Sequence, residues 1–173
     1  MTTLLKPSAF QMPAALFSRG FALRDEREED VPFLERLYAS TRAEELAQAP
    51  WSDAQKQIFL AQQFAAQRLH YRSQIQDCLF MVIEKDGTPV GRLYLQWRET
   101  QLHVVDIALL PEMRGQGVGT ILLEALIATA AEQGRALGIF VEKFNPALHL
   151  YRRLGFVEIG DTDVYLEMER PIN

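Results

Sequence analysis

Residues 106–126 read DIALLPEMRGQGVGTILLEAL. An apolar, strand-like run meets Pro111. Glycines at 115, 117 and 119 follow, and a helical pattern starts at once behind them. Leu122, Ala125, Leu126, Thr129 and Ala130 repeat at helical spacing until Gly134 stops them. A helix start carries unpaired N–H groups and a partial positive charge, so it attracts phosphate. Glycines ahead of it let a ligand approach the backbone and permit unusual dihedrals. The stretch therefore predicts an anion-binding turn, with a ligand-free glycine turn as the alternative. Spacing narrows the choice. No lysine separates Gly119 from Thr120, which excludes a Walker loop, and the third glycine of a dinucleotide fingerprint falls on Thr120. What remains is R-x-x-G-x-G, carried by Arg114, Gly117 and Gly119.

Reading outward, LHVVDIALL (102–110) has a phase slip. Leu102 and Val104 share one face, while Val105, Ile107 and Leu109 share the other. A strand buried on both faces explains this, and so does a β-bulge. Upstream, DCLFMVIEKDGTPVGRLYLQW (77–97) predicts two strands around a turn at Asp86-Gly87. Earlier still, residues 31–47 and 52–71 read as helices, the second with Ile58, Phe59 and Phe64 as its apolar stripe. Downstream come a buried strand (135–144), a short helix with Asn145 as cap, Pro146 in its first turn and Gly155 as stop, and two closing strands. The order β-α-α-β-β-β-α-β-α-β-β predicts an α/β mixed sheet with helices on its faces. Residues 1–19, broken by Pro7 and Pro13, read as a loosely structured lead-in, and 20–173 as one domain.

The composition limits the function classes. The chain has 173 residues, 48% of them hydrophobic, and a net charge of −5. That acidity argues against nucleic acid as the main partner and mildly favours cationic ones. No apolar run reaches the ~20 residues of a membrane helix. A single cysteine, Cys78 within CLFMVIE, allows no intrachain disulfide and reads as core packing, and a cytoplasmic setting is expected. His70, His103 and His149 lack metal-ligand spacing, so no metal is expected.

DIALLPEMRGQGVGTILLEAL resembles the central motif of the GNAT superfamily of acetyl-CoA-dependent N-acetyltransferases: strand, Pro-containing turn, [Q/R]-x-x-G-x-[G/A], helix. FVEKFNPALHLYRRLGF (140–156) resembles that family's next strand, its Asn, a short helix bearing a Tyr, and the terminal Gly-Phe. The resemblance spans about residues 102 to 157. It implies a mostly antiparallel sheet with a splayed parallel strand pair and acetyl-CoA as co-substrate. Arg114, Gly115, Gln116, Gly117, Val118, Gly119 and Thr120 would cradle the coenzyme A pyrophosphate. The backbone near Leu109 and Leu110 would pair with the pantetheine arm, and Asn145 would touch coenzyme A. Tyr151 would be the general acid. His103 is the first candidate for a base, with Asp106 and then Glu142 behind it. A primary amine would be the acceptor, shaped by residues 38 to 75, and a homodimer fits the family's habits. A non-catalytic acyl-CoA-binding module with the same fold is the alternative.

Overall fold

The computed structural model describes residues 10–172. Seven strands form one sheet: β1 (Phe21–Asp25), β2 (Cys78–Lys85), β3 (Thr88–Trp97), β4 (Gln101–Leu109), β5 (Ala136–Glu142), β6 (Val157–Asp161) and β7 (Tyr165–Arg170). Their spatial order is β1-β2-β3-β4-β5-β7-β6. Every neighbouring pair is antiparallel except β4 and β5. A parallel pair needs a long crossover, and α4 (Val118–Glu132) supplies it directly behind the glycine turn. Asp86 and Gly87, both at positive φ, make the tight β2–β3 turn read from the sequence.

Helices cover both faces, as the patterning implied. On one face α4 and α5 (Leu148–Arg153) share a core with Leu93, Leu95, Leu102, Val104, Leu137 and Ile139. A short helix, α1 (Ala14–Phe17), joins this core through the fully buried Leu16, and Phe10 is buried with it. Where a loose lead-in was expected, residues 10–19 are thus part of the packed body. Residues 1–9 of that expectation lie outside the described residues. On the other face α2 (Val31–Ala47) and α3 (Asp53–Gln74) pack Phe33, Leu34, Leu37, Tyr38 and Phe64 over Val82. The inward stripe of α3 is Leu60 and Phe64, while Ile58, expected there, faces outward. No helix among the described residues is long and apolar enough to cross a membrane.

The phase slip in β4 is a bulge. Tyr94 pairs with Asp106 but the next residue, Leu95, pairs with Val104, leaving Val105 as the extra residue. The bulge returns Ile107 and Leu109 to the same core as Leu102 and Val104. It also bends the strand. β4 and β5 pair only from Gln101–Ala136 to Val104–Ile139. Beyond that point each strand runs on without the other, so the sheet opens into a gap at the end from which the glycine turn departs.

Candidate active site

The turn after β4 is built to expose amides. Pro111–Met113 makes one helical turn, and Gly115 and Gly117 take positive φ of 73° and 80°. Gly117 is the N-cap of α4 without a side-chain cap. The first helical bond runs from the Ile121 N–H to the Gly117 carbonyl, 3.0 Å. The N–H groups of residues 115–120 consequently have no partner among the described residues. A Cβ at position 115, 117 or 119 would meet nothing within 4 Å. The protein's own packing therefore does not demand the glycine at 119, which has no positive φ; the open space above the amides is what it preserves. A helix N-terminus with a row of free donors suits a pyrophosphate.

The open edge of β4 continues this surface. The Leu110 amide donates to the Val90 carbonyl at 2.8 Å. In an antiparallel ladder alternate residues face alternate sides, so Ile107 and Leu109 turn their N–H and C=O groups away from β3, toward the gap. The Leu109 carbonyl accepts from Arg114 Nε at 3.2 Å. Leu110 was expected to share in pantetheine pairing; its carbonyl also is taken, by the Met113 amide at 2.9 Å. The free donors are those of Ile107 and Leu109.

Tyr151 sits on α5 at 5% exposure, its ring edge-on to Phe156 at 5.5 Å. Its hydroxyl has no hydrogen-bond partner among the described residues and is not sealed from solvent. Burial first, and the Asp106 charge second, push its pKa above the ordinary phenol value. It stays protonated near neutral pH and is a donor in need of an acceptor.

Asp106 stands just past the bulge. Its Oδ2 accepts from Arg92 Nη2 at 2.7 Å and from the Tyr71 hydroxyl at 3.1 Å, which leaves Oδ1 without a partner among the described residues. Arg92, 3% exposed, also donates to Gln67, and its Nε is unpartnered. Burial and then Asp106 raise the Tyr71 pKa as well. Behind this pair, Glu26 binds Arg68, Arg72 and the Tyr94 hydroxyl and ties α3 to the sheet. Across the gap, Arg42 of α2 pairs with Glu142 at the end of β5, 3.0 Å. Arg92, Tyr71 and Glu26 were missed in the sequence. The signal was there: an arginine inside PVGRLYLQW and an aspartate inside HVVDIALL are charges within strands, and buried charges come paired.

His103 was read as the first candidate base. It lies in the zipped part of β4, opposite Gly138, on the near side of the bulge from Asp106. Its Nδ1 is 3.0 Å from Gln101 Oε1 and its ring meets Phe140 edge-on at 5.2 Å. Burial, with Arg98 adding, pushes its pKa down to about 4, which makes it a poor proton acceptor. Asn145 is exposed. Its Oδ1 accepts from the Ala147 amide at 2.9 Å, and its side-chain NH2 stays available. The helix starts later than expected, at Leu148, with Ala147 as N-cap. Cys78 is a free thiol whose pKa burial pushes up to about 12, unsuited to a nucleophile.

A profile described as the Acetyltransferase (GNAT) family matches residues 26–156. The chain belongs to the GNAT family. Among curated relatives, an N-alpha-acetyltransferase of Sulfurisphaera tokodaii is 34% identical over 98 residues, 48% of this chain and 59% of that protein. The streptothricin acetyltransferase of Streptomyces lavendulae is 35% identical over 92 residues, 50% of this chain and 48% of that protein. The matches thus span about half the length of these relatives. Among solved structures, a PaiA N-acetyltransferase of Thermoplasma acidophilum, in complex with coenzyme A, has the same fold: TM-score 0.65, 18% identity, 87% of this chain and 98% of that one.

Proposed function

We propose that this GNAT protein is an N-acetyltransferase that moves the acetyl group of acetyl-CoA to a primary amine. One observation carries the reading: a row of unpaired amides at 115–120 leads onto the free edge of β4, beside an unpartnered tyrosine hydroxyl. The amides and the α4 dipole hold the pyrophosphate, and Asn145 offers one further donor. The pantetheine arm lies along β4 as an added strand, paired through Ile107 and Leu109. This sets the thioester in the gap.

A neutral amine attacks the thioester carbonyl carbon, and a tetrahedral oxyanion forms. A backbone N–H of the β4 edge near Leu109, left free by the pantetheine arm, stabilises that charge. The C–S bond breaks as the carbonyl re-forms, and the thiolate accepts a hydrogen bond from Tyr151. A thiol has a pKa of about 8.5, below that of the Tyr151 phenol, so Tyr151 stabilises the thiolate rather than fully protonating it. Asp106 Oδ1 attracts the incoming ammonium. The amine's proton leaves to water beside this carboxylate, which Arg92 holds in place. The acidic chain favours cationic amines.

The test is acetyl-CoA with a panel of polyamines, lysine, peptide N-termini and aminoglycosides, read as thiol release and as acetylated product by mass spectrometry. At least one amine is acetylated. Coenzyme A binding without turnover of any amine would favour the binding-module reading. No association at millimolar acetyl-CoA would end both.

A further inference from the structure

The ion pair between Arg42 and Glu142 has no part in the acetyl transfer described so far, yet it stands on the acceptor side of the gap. β4 and β5 last pair at Val104–Ile139, and both of those side chains enter the α4 core. Glu142 is three residues further along β5, so alternation turns it to the opposite face. There it meets Arg42 of α2, Nη1 to Oε1, at 3.0 Å. The Val105 bulge turns Asp106 to that same face, where Tyr71 of α3 donates to it. Two carboxylates therefore flank the parted strands beneath α2 and α3: Asp106 on β4 and Glu142 on β5. Tyr165 of β7 pairs with Glu142 in register and shares its face. Burial and then the Asp106 charge raise the Tyr71 pKa, and Tyr165 adds to that rise, so Tyr165 belongs to the same side of the gap as Tyr71 and Asp106.

The two members of the ion pair are not equally committed. Arg42 has other company on its own helix: Glu45 at 3.2 Å, and the Tyr38 ring at 5.7 Å from its guanidinium carbon. It can leave Glu142 and keep a counter-charge. Glu142 has Arg42 as its only side-chain partner among the described residues, and its side chain is 40% exposed. Lys143, next to it, is held by Asp161 instead. Arg42 thus occupies Glu142 as an incoming ammonium would. One ammonium cannot serve both carboxylates, because even paired strands lie ~4.8 Å apart and these have separated. Two charges joined by a short alkyl chain can, and tyrosine rings suit the methylenes beside an ammonium. We infer that Glu142 is a second cation subsite for the acceptor, covered by Arg42 in the empty protein, and that the acceptor is a short aliphatic diamine or polyamine. One amine comes to Asp106 and reacts, while the ammonium at the other end takes the place of Arg42 at Glu142 and Arg42 turns back to Glu45.

This inference rests on the acetyltransferase reading and deepens it. The test compares α,ω-diamines with monoamines of equal chain length at saturating acetyl-CoA, with kcat/KM corrected for the two equivalent ends of the diamine. The wild-type chain favours the diamine by about threefold to tenfold, as suits a part-exposed charge pair. Glu142→Gln brings the ratio to parity, and Glu142→Asp, which keeps the charge, retains part of the preference. Arg42→Gln uncovers Glu142 and raises the ratio by about threefold. The partners of one ion pair thus move the ratio in opposite directions. A bridge that only straps α2 to β5 would affect both substrates alike and leave the ratio where it was. Circular dichroism and coenzyme A binding confirm that the variants fold. Monoamine turnover with no diamine preference, or an unchanged ratio in Arg42→Gln, overturns the subsite and leaves the acetyltransferase reading standing. No turnover of any amine overturns both.

Discussion

Removing the Tyr151 hydroxyl separates its chemistry from its packing. Most buried tyrosine hydroxyls hold a partner, and deleting one strands that partner at a cost of about 1–3 kcal/mol. Here the hydroxyl bonds to nothing in the described protein, while the ring is held by Phe156 and the α5 core. Tyr151→Phe therefore leaves stability within about 0.5 kcal/mol of wild type. The catalytic loss follows from the hydrogen bond to the leaving thiolate. A hydrogen bond to a charged group contributes about 1.5–3 kcal/mol, which corresponds to a fall in kcat of roughly 10- to 150-fold. The ground-state thioester carries no charge at sulfur, so KM for acetyl-CoA and coenzyme A affinity change little. Initial rates by thiol release, calorimetric titration with coenzyme A and thermal unfolding read the three quantities. A variant whose kcat stays within threefold of wild type, with unchanged binding, would remove Tyr151 from the reaction. A large loss of Tm would show that its role is packing.

Three further expectations test the same framework. Gly119→Val has an ordinary backbone and open space around it; it folds normally, but its side chain crowds the α4 amides and weakens coenzyme A by about tenfold or more by titration, since tenfold is only ~1.4 kcal/mol. Asp106→Ala leaves the Arg92 guanidinium buried and unpaired and lowers stability by about 3–5 kcal/mol in urea unfolding, whereas the double change Asp106→Leu with Arg92→Met recovers most of it; a single variant as stable as wild type would contradict the buried pair. Burial raises the pKa values of Tyr71, Tyr94 and Tyr151, so above about pH 10 the unfolded chain loses protons that the folded chain keeps, and stability, full below that pH, falls by about 4 kcal/mol per pH unit for the three; urea midpoints that do not move between mildly and strongly alkaline buffer would refute this.

The parts legible in the sequence were those written locally. A turn that needs positive φ must use glycine at 115 and 117, and a helix that follows at once shows its period in Leu122, Leu123 and Leu126. Both can be read without knowing what lies beside them. The different surroundings of His103 and Asp106 were not legible, for the opposite reason. His103 and Asp106 are three residues apart on one strand, and the chemistry of a side chain alone favours the histidine. What separates them is the extra residue, Val105, whose effect exists only in the pairing of β4 with β3 and β5. On one side of it the strands are zipped and His103 is buried against Gln101 and Phe140. On the other side the sheet opens, and Asp106 has one oxygen free.

The bulge also links the two halves of the site. Without it, Ile107 and Leu109 would point their side chains at the α2–α3 face, and β4 would have no reason to part from β5. With it, the same two residues anchor in the α4 core while their amides face the gap. The glycine turn that starts α4 then sits at the end of that exposed edge. In the proposed reading, a ligand gripped by the turn is led along β4 toward Asp106 and Tyr151; the Asp106 charge helps to raise the tyrosine's pKa, after burial. Restoring the regular ladder by deleting Val105 would close that path. Such a variant should lose coenzyme A binding even with every residue from 106 to 120 intact, which makes the register of one strand, more than any single side chain, the determinant of the site.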